Sequence, residues 1–167
     1  MKKKLFGLLA ACFVAVSAHA SDFGVGLNLG LSTKSGFSTG FIGAKGIIGL
    51  PFKLAVAPSF NYWFPNTQDA LKLKCLDANI DLHFNLLDLG LLKVYPLVGL
   101  NYMRLDLENT VWGTSVDGGE SNKVGANLGA GAQIRFLPML GASLEAKGLL
   151  IDGFTQFIPS ATLYFLF

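Results

Sequence analysis

Between residues 76 and 86 the chain alternates without a break between apolar and polar side chains. Leu76 and Leu86 begin and end the apolar series, and Asp77, His83 and Asn85 belong to the polar one. A helix would scatter these residues around its circumference, whereas a strand places them on two opposite faces. The pattern predicts a β-strand with one apolar and one polar face.

The same period of two recurs along the chain and divides it into eight segments. Two of them are less regular, because Phe41 and Ile47 interrupt the second and Pro96 lies within the fifth. Proline cannot donate a ladder hydrogen bond, so we expect a local irregularity at Pro96 and also at Pro58. The predicted strands cover residues 22–31, 38–48, 52–63, 72–86, 92–105, 123–136, 140–150 and 159–167.

The connections between these segments alternate in length. Tight turns are predicted at 49–51, 87–91 and 137–139, and longer polar connections at 32–37, 64–71, 106–122 and 151–158. Transmembrane barrels alternate in this way, with short periplasmic turns and longer outside loops. The loop 106–122, which contains Trp112, is the longest, so we expect any contact with an extracellular partner to be made there.

The N-terminus has the pattern of an export signal. Three lysines at 2–4 precede an apolar run at 5–16, and Ala18 and Ala20 are the small residues that a signal peptidase reads. We expect a signal peptide at 1–20, a mature domain at 21–167 and a first mature residue of Ser21. The alternative is a lipoprotein, since Leu9–Cys12 matches a lipidation box, but the apolar run continues past Cys12, which favours the ordinary cut.

Composition then narrows the class of protein. The signal contains three of the 13 Lys and Arg residues, so 10 remain against 11 acidic residues, and no polybasic surface for nucleic acid is left. Cys75 is the one cysteine of the mature chain and cannot form an internal disulfide; no function follows for it. Apolar residues make up 51% of the chain but lie in short runs, unlike those of a helical membrane protein.

Alternation alone allows two architectures. A soluble exported barrel of the lipocalin kind would bind a small apolar ligand inside, whereas an outer-membrane barrel presents its apolar face to lipid. The polar faces are rich in Gly, Asn, Ser and Ala, which suit a narrow lumen, and aromatic residues cluster near predicted strand ends. Those aromatics, which favour lipid, are Phe52, Tyr62, Trp63, Phe64, Phe136, Phe165 and Phe167. We therefore predict an all-β, eight-stranded antiparallel transmembrane barrel of up-and-down topology.

The last residues carry a resemblance. Ala161, Leu163, Phe165 and Phe167 occupy alternate positions up to a terminal Phe. Together with the signal and the eight strands, they make the chain similar to the OmpA/OmpX-type family of small outer-membrane barrels. That resemblance implies a bacterial outer-membrane location in contact with lipid and recognition of the last strand by the barrel-assembly machinery. Since the chain stops at Phe167, we expect that the peptidoglycan-binding domain of OmpA-like proteins does not follow the barrel, and we expect no cofactor.

Several charged residues share the polar faces and could form a site. A metal site or an acid–base pair is one interpretation, but the chain has a lone mature histidine, which is a poor basis for either. A lipid-modifying enzyme would need a serine supported by a histidine on the lipid-facing or rim surface, and His83 is on the lumen face. We favour paired charges that fill the lumen of a structural or surface-interaction protein with no enzymatic activity. The residues concerned are Lys45, Asp77, Asp81, His83, Arg135, Glu145 and Lys147.

Overall fold

The computed structural model describes residues 23–33, 40–64, 67–68, 71–111, 114–151 and 154–167, with backbone alone at 67–68, 71–74, 106–111, 114–120 and 154. These residues form ten strands. Within the described ranges, no helix is long and apolar enough to cross a membrane. The strands are β1 (Phe23–Leu31), β2 (Gly40–Leu50), β3 (Leu54–Trp63), β4 (Thr67–Gln68), β5 (Leu71–Phe84), β6 (Leu87–Asp88), β7 (Leu92–Val111), β8 (Thr114–Leu137), β9 (Leu140–Ile151) and β10 (Phe154–Leu166).

The eight long strands close into a barrel. Each pairs antiparallel with its neighbours along the chain, and β1 pairs with β10, for example through Leu27 and Leu163, to complete the wall. The two-residue strands β4 and β6 add only short pairings to β5 and β7. The predicted eight-stranded antiparallel barrel is confirmed.

The two faces of the wall differ sharply. On β5, Asp77 and Asp81 are buried inside, whereas Ile80 and Leu82 are exposed outside. The same parity holds around the barrel, and many leucines of the outer face expose more than half of their surface, among them Leu27, Leu100, Leu128 and Leu144. An apolar band of this extent is stable in lipid and not in water, and a closed barrel satisfies its backbone groups by pairing between strands. The wall is therefore the membrane-spanning part of the protein.

The two ends of the barrel can be told apart. The turns at 51–53 and 138–139 lie at one end, where the backbone amide of Phe167 also donates to the carbonyl of Phe23 at 2.7 Å. Short turns of such barrels face the periplasm. We call this the periplasmic end and the opposite one the outer end.

Pro96 disturbs the ladder between β5 and β7. His83 pairs with Leu97, but the next pair joins Leu87 to Val94. The three residues 84–86 therefore lie opposite the two residues 95–96. This is a bulge, and it begins where Pro96 has no amide hydrogen to donate. The predicted irregularity at Pro96 is confirmed.

Pro58 disturbs the ladder between β2 and β3 less. Pairing is interrupted between Lys45–Ser59 and Ile48–Val56, but the register is the same on both sides. The ring of Pro58 instead packs close to Gly46, where an added Cβ would lie 3.3 Å from the proline Cγ. The wall therefore accommodates Pro58 without a bulge.

The predicted loops at 106–122 and 151–158 are wrong. β7 and β8 remain paired up to Val111 and Thr114, with a register shift near Asp106, and β9 and β10 are paired up to Ile151 and Phe154. These segments carry no unbroken alternation of apolar and polar residues in the sequence, so the period of two does not reveal them as strands. Trp112, the expected contact residue, lies outside the described residues.

Candidate functional site

A cluster of buried apolar side chains lies toward the outer end of the lumen. In this cluster, the outer plug, the ring centroids of Phe41 and Trp63 are 4.7 Å apart and the ring planes are tilted by 52°. The sequence predicted that Trp63 belongs to the aromatic residues at the membrane interface. In the structure it lies two positions after Asn61 on β3 and, like Asn61, points into the lumen. The outer plug consists of Phe41, Trp63, Cys75, Met103, Leu149, Ile151 and Ile158, with Leu105 packed against it.

A second apolar cluster lies near the other end of the lumen. This periplasmic plug consists of Ile47, Ala55, Tyr164 and Leu166, all buried. Phe41 and Ile47, which break the alternation of β2, therefore lie in the two plugs. The lumen therefore holds buried apolar residues toward both of its ends, with polar residues between them.

Between the plugs lie two ion pairs. The Nζ of Lys45 contacts the Oε1 of Glu145, and the Nζ of Lys147 lies 3.0 Å from the Oδ2 of Asp81. The hydroxyl of Tyr95 donates to the same Oε1 of Glu145 at 2.9 Å. All of these side chains are shielded from solvent, so each charge depends on its partner for the stabilisation that water would otherwise give.

Asp77 is held by neutral donors. Asn61 and Asn79 each donate to its Oδ1 at 2.7 Å, and the indole N–H of Trp63 donates to its Oδ2. A carboxylate with three such donors is satisfied without a cation. Asp77 thereby links the outer plug to the polar middle through Trp63.

Amides connect the two acidic centres. Asn127 donates to the Oδ1 of Asp81 at 2.7 Å and to the Oδ1 of Asn79 at 2.8 Å, and Asn79 donates to Asp77. The result is one hydrogen-bonded path across the lumen from Asp77 to Lys147. The sequence predicts only that these asparagines point into the lumen. The alternation along a strand gives the face on which a side chain lies but not its hydrogen-bond partner.

His83 lies in the same layer. Its ring stacks on Tyr95 with a centroid separation of 4.2 Å and an interplanar angle of 9°, and its Nε2 is 3.8 Å from the Oε1 of Glu145. Within the described residues neither ring nitrogen has a hydrogen-bond partner, and no group of three His, Cys, Asp or Glu suited to a metal ion is found. His83 is thus a packing element of the lumen in this geometry.

The seven ionisable residues that the sequence analysis selected do not all lie in one cluster. Six of them lie in the polar middle, whereas Arg135 faces a separate opening at the periplasmic end together with Lys93. Tyr95 also belongs to the polar middle, although it was not predicted there, because it stands in an apolar stretch beside Pro96. Tyr95 lies at an odd-numbered position, as do the polar residues Lys93 and Asn101 of the same strand. This alternation is the sequence feature that could have predicted that Tyr95 faces the lumen.

A glycine opposite Asp81 leads to the first prediction. A Cβ added at Gly99 would lie 2.1 Å from the Oδ1 of Asp81 and 2.6 Å from the carbonyl of Ile80. Since both the backbone and a paired carboxylate would have to move, Gly99→Ala should destabilise the barrel by about 1–3 kcal/mol in urea unfolding. Gly148→Ala is the matched control, because its nearest neighbour would be 3.5 Å away. Equal stability of the two variants would contradict this packing.

Known structures share the whole wall. The N-terminal barrel of OprF from Pseudomonas aeruginosa superposes with a TM-score of 0.60 at 14% identity, covering 89% of this chain and 98% of that one. A major outer membrane protein of Thermus thermophilus gives 0.62 at 13% identity, covering 89% and 100%. The fold is that of a small outer-membrane barrel of the OmpA/OmpX type.

A further outer-membrane barrel superposes with a slightly lower TM-score. Ail, the attachment invasion locus protein of Yersinia pestis, superposes with a TM-score of 0.56 at 14% identity, covering 87% of this chain and 97% of that one. No protein-family model matches the chain, and no curated protein matches its sequence. The barrel fold and the apolar band agree on an outer-membrane location.

Proposed function

We propose that the protein is a closed outer-membrane barrel with a structural or surface-interaction role, without a diffusion pore and without an enzymatic site. The observation that carries this proposal is the filled lumen. A conducting barrel needs a continuous water-filled path, whereas here a paired polar layer lies between two apolar plugs. Narrow eight-stranded barrels are filled by side chains in this way.

Two alternatives fit the structure less well. A lipocalin-like carrier needs an apolar cavity inside, but the middle of this lumen holds Lys45, Glu145 and Asp81. A lipid-modifying enzyme needs its histidine at the surface that lipid reaches. His83 is fully buried between the plugs, so a lipid substrate has no route to its ring.

The test is single-channel conductance of the mature protein in planar bilayers, with a water-filled porin as positive control. The wild-type protein should show no large, stable conductance steps. Phe41→Ala removes one ring of the outer plug but leaves the polar middle and the periplasmic plug in place, so it should stay closed, as should Phe60→Ala on the lipid face. Large and reproducible conductance of the wild-type barrel would overturn the proposal.

A further inference from the structure

The connections at the periplasmic end are apolar, although turns in water are usually built from polar residues, glycine and proline. Leu89 and Leu91, near the tip of the β6–β7 hairpin, leave 65% and 67% of their surface exposed, and Phe52 in the turn before β3 leaves 90%. Leu137 and Met139, at the turn after β8, are exposed as well. Exposed apolar surface of this extent marks a contact with lipid or with another protein.

The apolar band of the wall is complete before these connections begin. The outward series along β5 runs from Leu76, which pairs with Tyr62 near the outer end, to Leu86 just after the strand. At about 3.3 Å per residue and a tilt of about 40°, this series covers about 25 Å, the usual height of a lipid-facing band. Leu87 and Leu89 therefore lie beyond the hydrocarbon core, on its periplasmic side.

A bulge changes the direction of the side chains that follow β5. The three residues 84–86 lie opposite the two residues 95–96, so the alternation changes phase there. Leu86 and Leu87 are consecutive, and both are exposed. Bulges at the rims of barrels commonly re-aim side chains in this way.

The phase change gives the β6–β7 hairpin an apolar outer face. Leu87 pairs with Val94, which is exposed on the outer face of β7. Asp88 pairs with Lys93 and lines the opening at the periplasmic end of the lumen. In an unbroken alternation, Leu87 would point toward the lumen and Asp88 toward the lipid. The bulge therefore extends the apolar outer face beyond the strand.

A second bulge has the same effect between β8 and β9. Their pairing shifts register between Arg135 and Leu137. Phe136 and Leu137 are consecutive, and both are exposed, as is Met139 in the turn that follows. Two bulges at the same end of the barrel thus continue the lipid-facing surface into the connections.

We propose that the periplasmic connections are immersed in the inner leaflet of the outer membrane, with Leu87, Leu89 and Met139 at the boundary between phospholipid headgroups and acyl chains. The occupant is lipid rather than a periplasmic protein, because this surface is continuous with the lipid-facing wall and arises from bulges that prolong the wall. Apolar side chains just outside the hydrocarbon core are stabilised in this boundary layer. The proposal goes beyond the structural role above and does not depend on a closed lumen.

The first experiment measures the accessibility of nitroxide spin labels in vesicles of phosphatidylethanolamine and phosphatidylglycerol. Leu89→Cys, Met139→Cys and Ile80→Cys are labelled one at a time in a Cys75→Ala background. Collisions with oxygen, which dissolves in lipid, are compared with collisions with a water-soluble nickel chelate present on both sides of the membrane. We expect oxygen collisions to dominate at positions 89 and 139, by a smaller margin than at position 80 in the middle of the membrane.

Two further labels provide the controls. Asp88→Cys is next to Leu89 in the same hairpin but faces the opening of the lumen, and Ser115→Cys lies in the β7–β8 hairpin at the outer end. The nickel chelate should reach both of these labels several-fold more readily than it reaches Leu89→Cys. Equal access of the chelate to positions 88, 89, 115 and 139 would mean that the connections stand in water, and it would overturn the proposal.

A second measurement uses the wild-type barrel and distinguishes lipid from a protein partner. Phospholipids with a photoactivatable group near the glycerol end of one acyl chain should crosslink to residues 86–91 and 137–139 in the same vesicles, as mapped by mass spectrometry. Labelling of the wall without labelling of these residues would contradict the proposal. Access of the chelate in vesicles, combined with protection of these residues in whole cells, would assign the surface to a periplasmic protein and would overturn it as well.

Discussion

Glu145→Gln should destabilise the barrel by about 3–5 kcal/mol, the cost of leaving one member of a buried ion pair without its partner. Lys45 and Glu145 are both shielded from solvent, and Tyr95 and Lys45 contact the same carboxylate oxygen. Glutamine keeps the size of the side chain, so the loss reports charge rather than packing. The measurement is urea unfolding of the refolded protein in lipid vesicles, followed by tryptophan fluorescence.

The control removes both charges together. Lys45→Met combined with Glu145→Gln should recover most of the lost stability, since replacing a whole buried pair is often neutral. A loss below about 1 kcal/mol in Glu145→Gln, with no recovery in the double variant, would mean that water reaches the pair. That result would contradict a lumen closed by plugs.

Ile80→Arg should cost about 2–4 kcal/mol, the cost of a cation at the middle of the membrane on the lipid face. Ile80 is exposed on the outside of β5, midway between Leu76, which pairs with Tyr62 toward the outer end, and Phe84 at the periplasmic end. The same unfolding assay measures the effect.

A graded series along one face provides the control. Leu86→Arg, at the periplasmic interface, should cost only about 0–1 kcal/mol, and Leu82→Arg should fall between the two. All three side chains are exposed in the barrel, so differences in burial within the protein do not explain the gradient. Equal costs at the three positions would contradict the depth assigned to β5.

The sequence could predict which side chains of each strand face the lumen and which face the lipid. Along β5 and the two residues after it, every inward and outward assignment from Leu76 to Leu86 holds, because lipid on one side and a packed lumen on the other impose opposite chemistry on alternate residues. The ends of β7 and β8 could not be found, since their residues show no regular alternation of apolar and polar side chains in the sequence. Phe41 and Ile47 obscured β2 because the lumen is apolar at the levels of the plugs.

The candidate site was only partly predictable for a related reason. Strand alternation correctly directs Arg135 inward but does not give its depth, and depth separates the polar middle from the opening at the periplasmic end. The alternation placed Lys53 in the predicted strand 52–63, whereas the structure has it in the turn before β3. Contacts such as that of Tyr95 with Glu145 join strands far apart in sequence, and spacing along one strand carries no information on them.

The most direct test of a lipid-facing wall around a closed lumen is thiol labelling of single cysteines in a Cys75→Ala background. Three sites are compared: Ile80→Cys on the outer face, Ser59→Cys in the buried lumen, and Ser115→Cys in the β7–β8 hairpin. In intact membranes, a lipid-soluble maleimide should label position 80 and a water-soluble one should not, while position 59 should resist both. On whole cells, the water-soluble reagent should label position 115. Strong water-soluble labelling at position 80 or 59 of the folded protein would contradict the account.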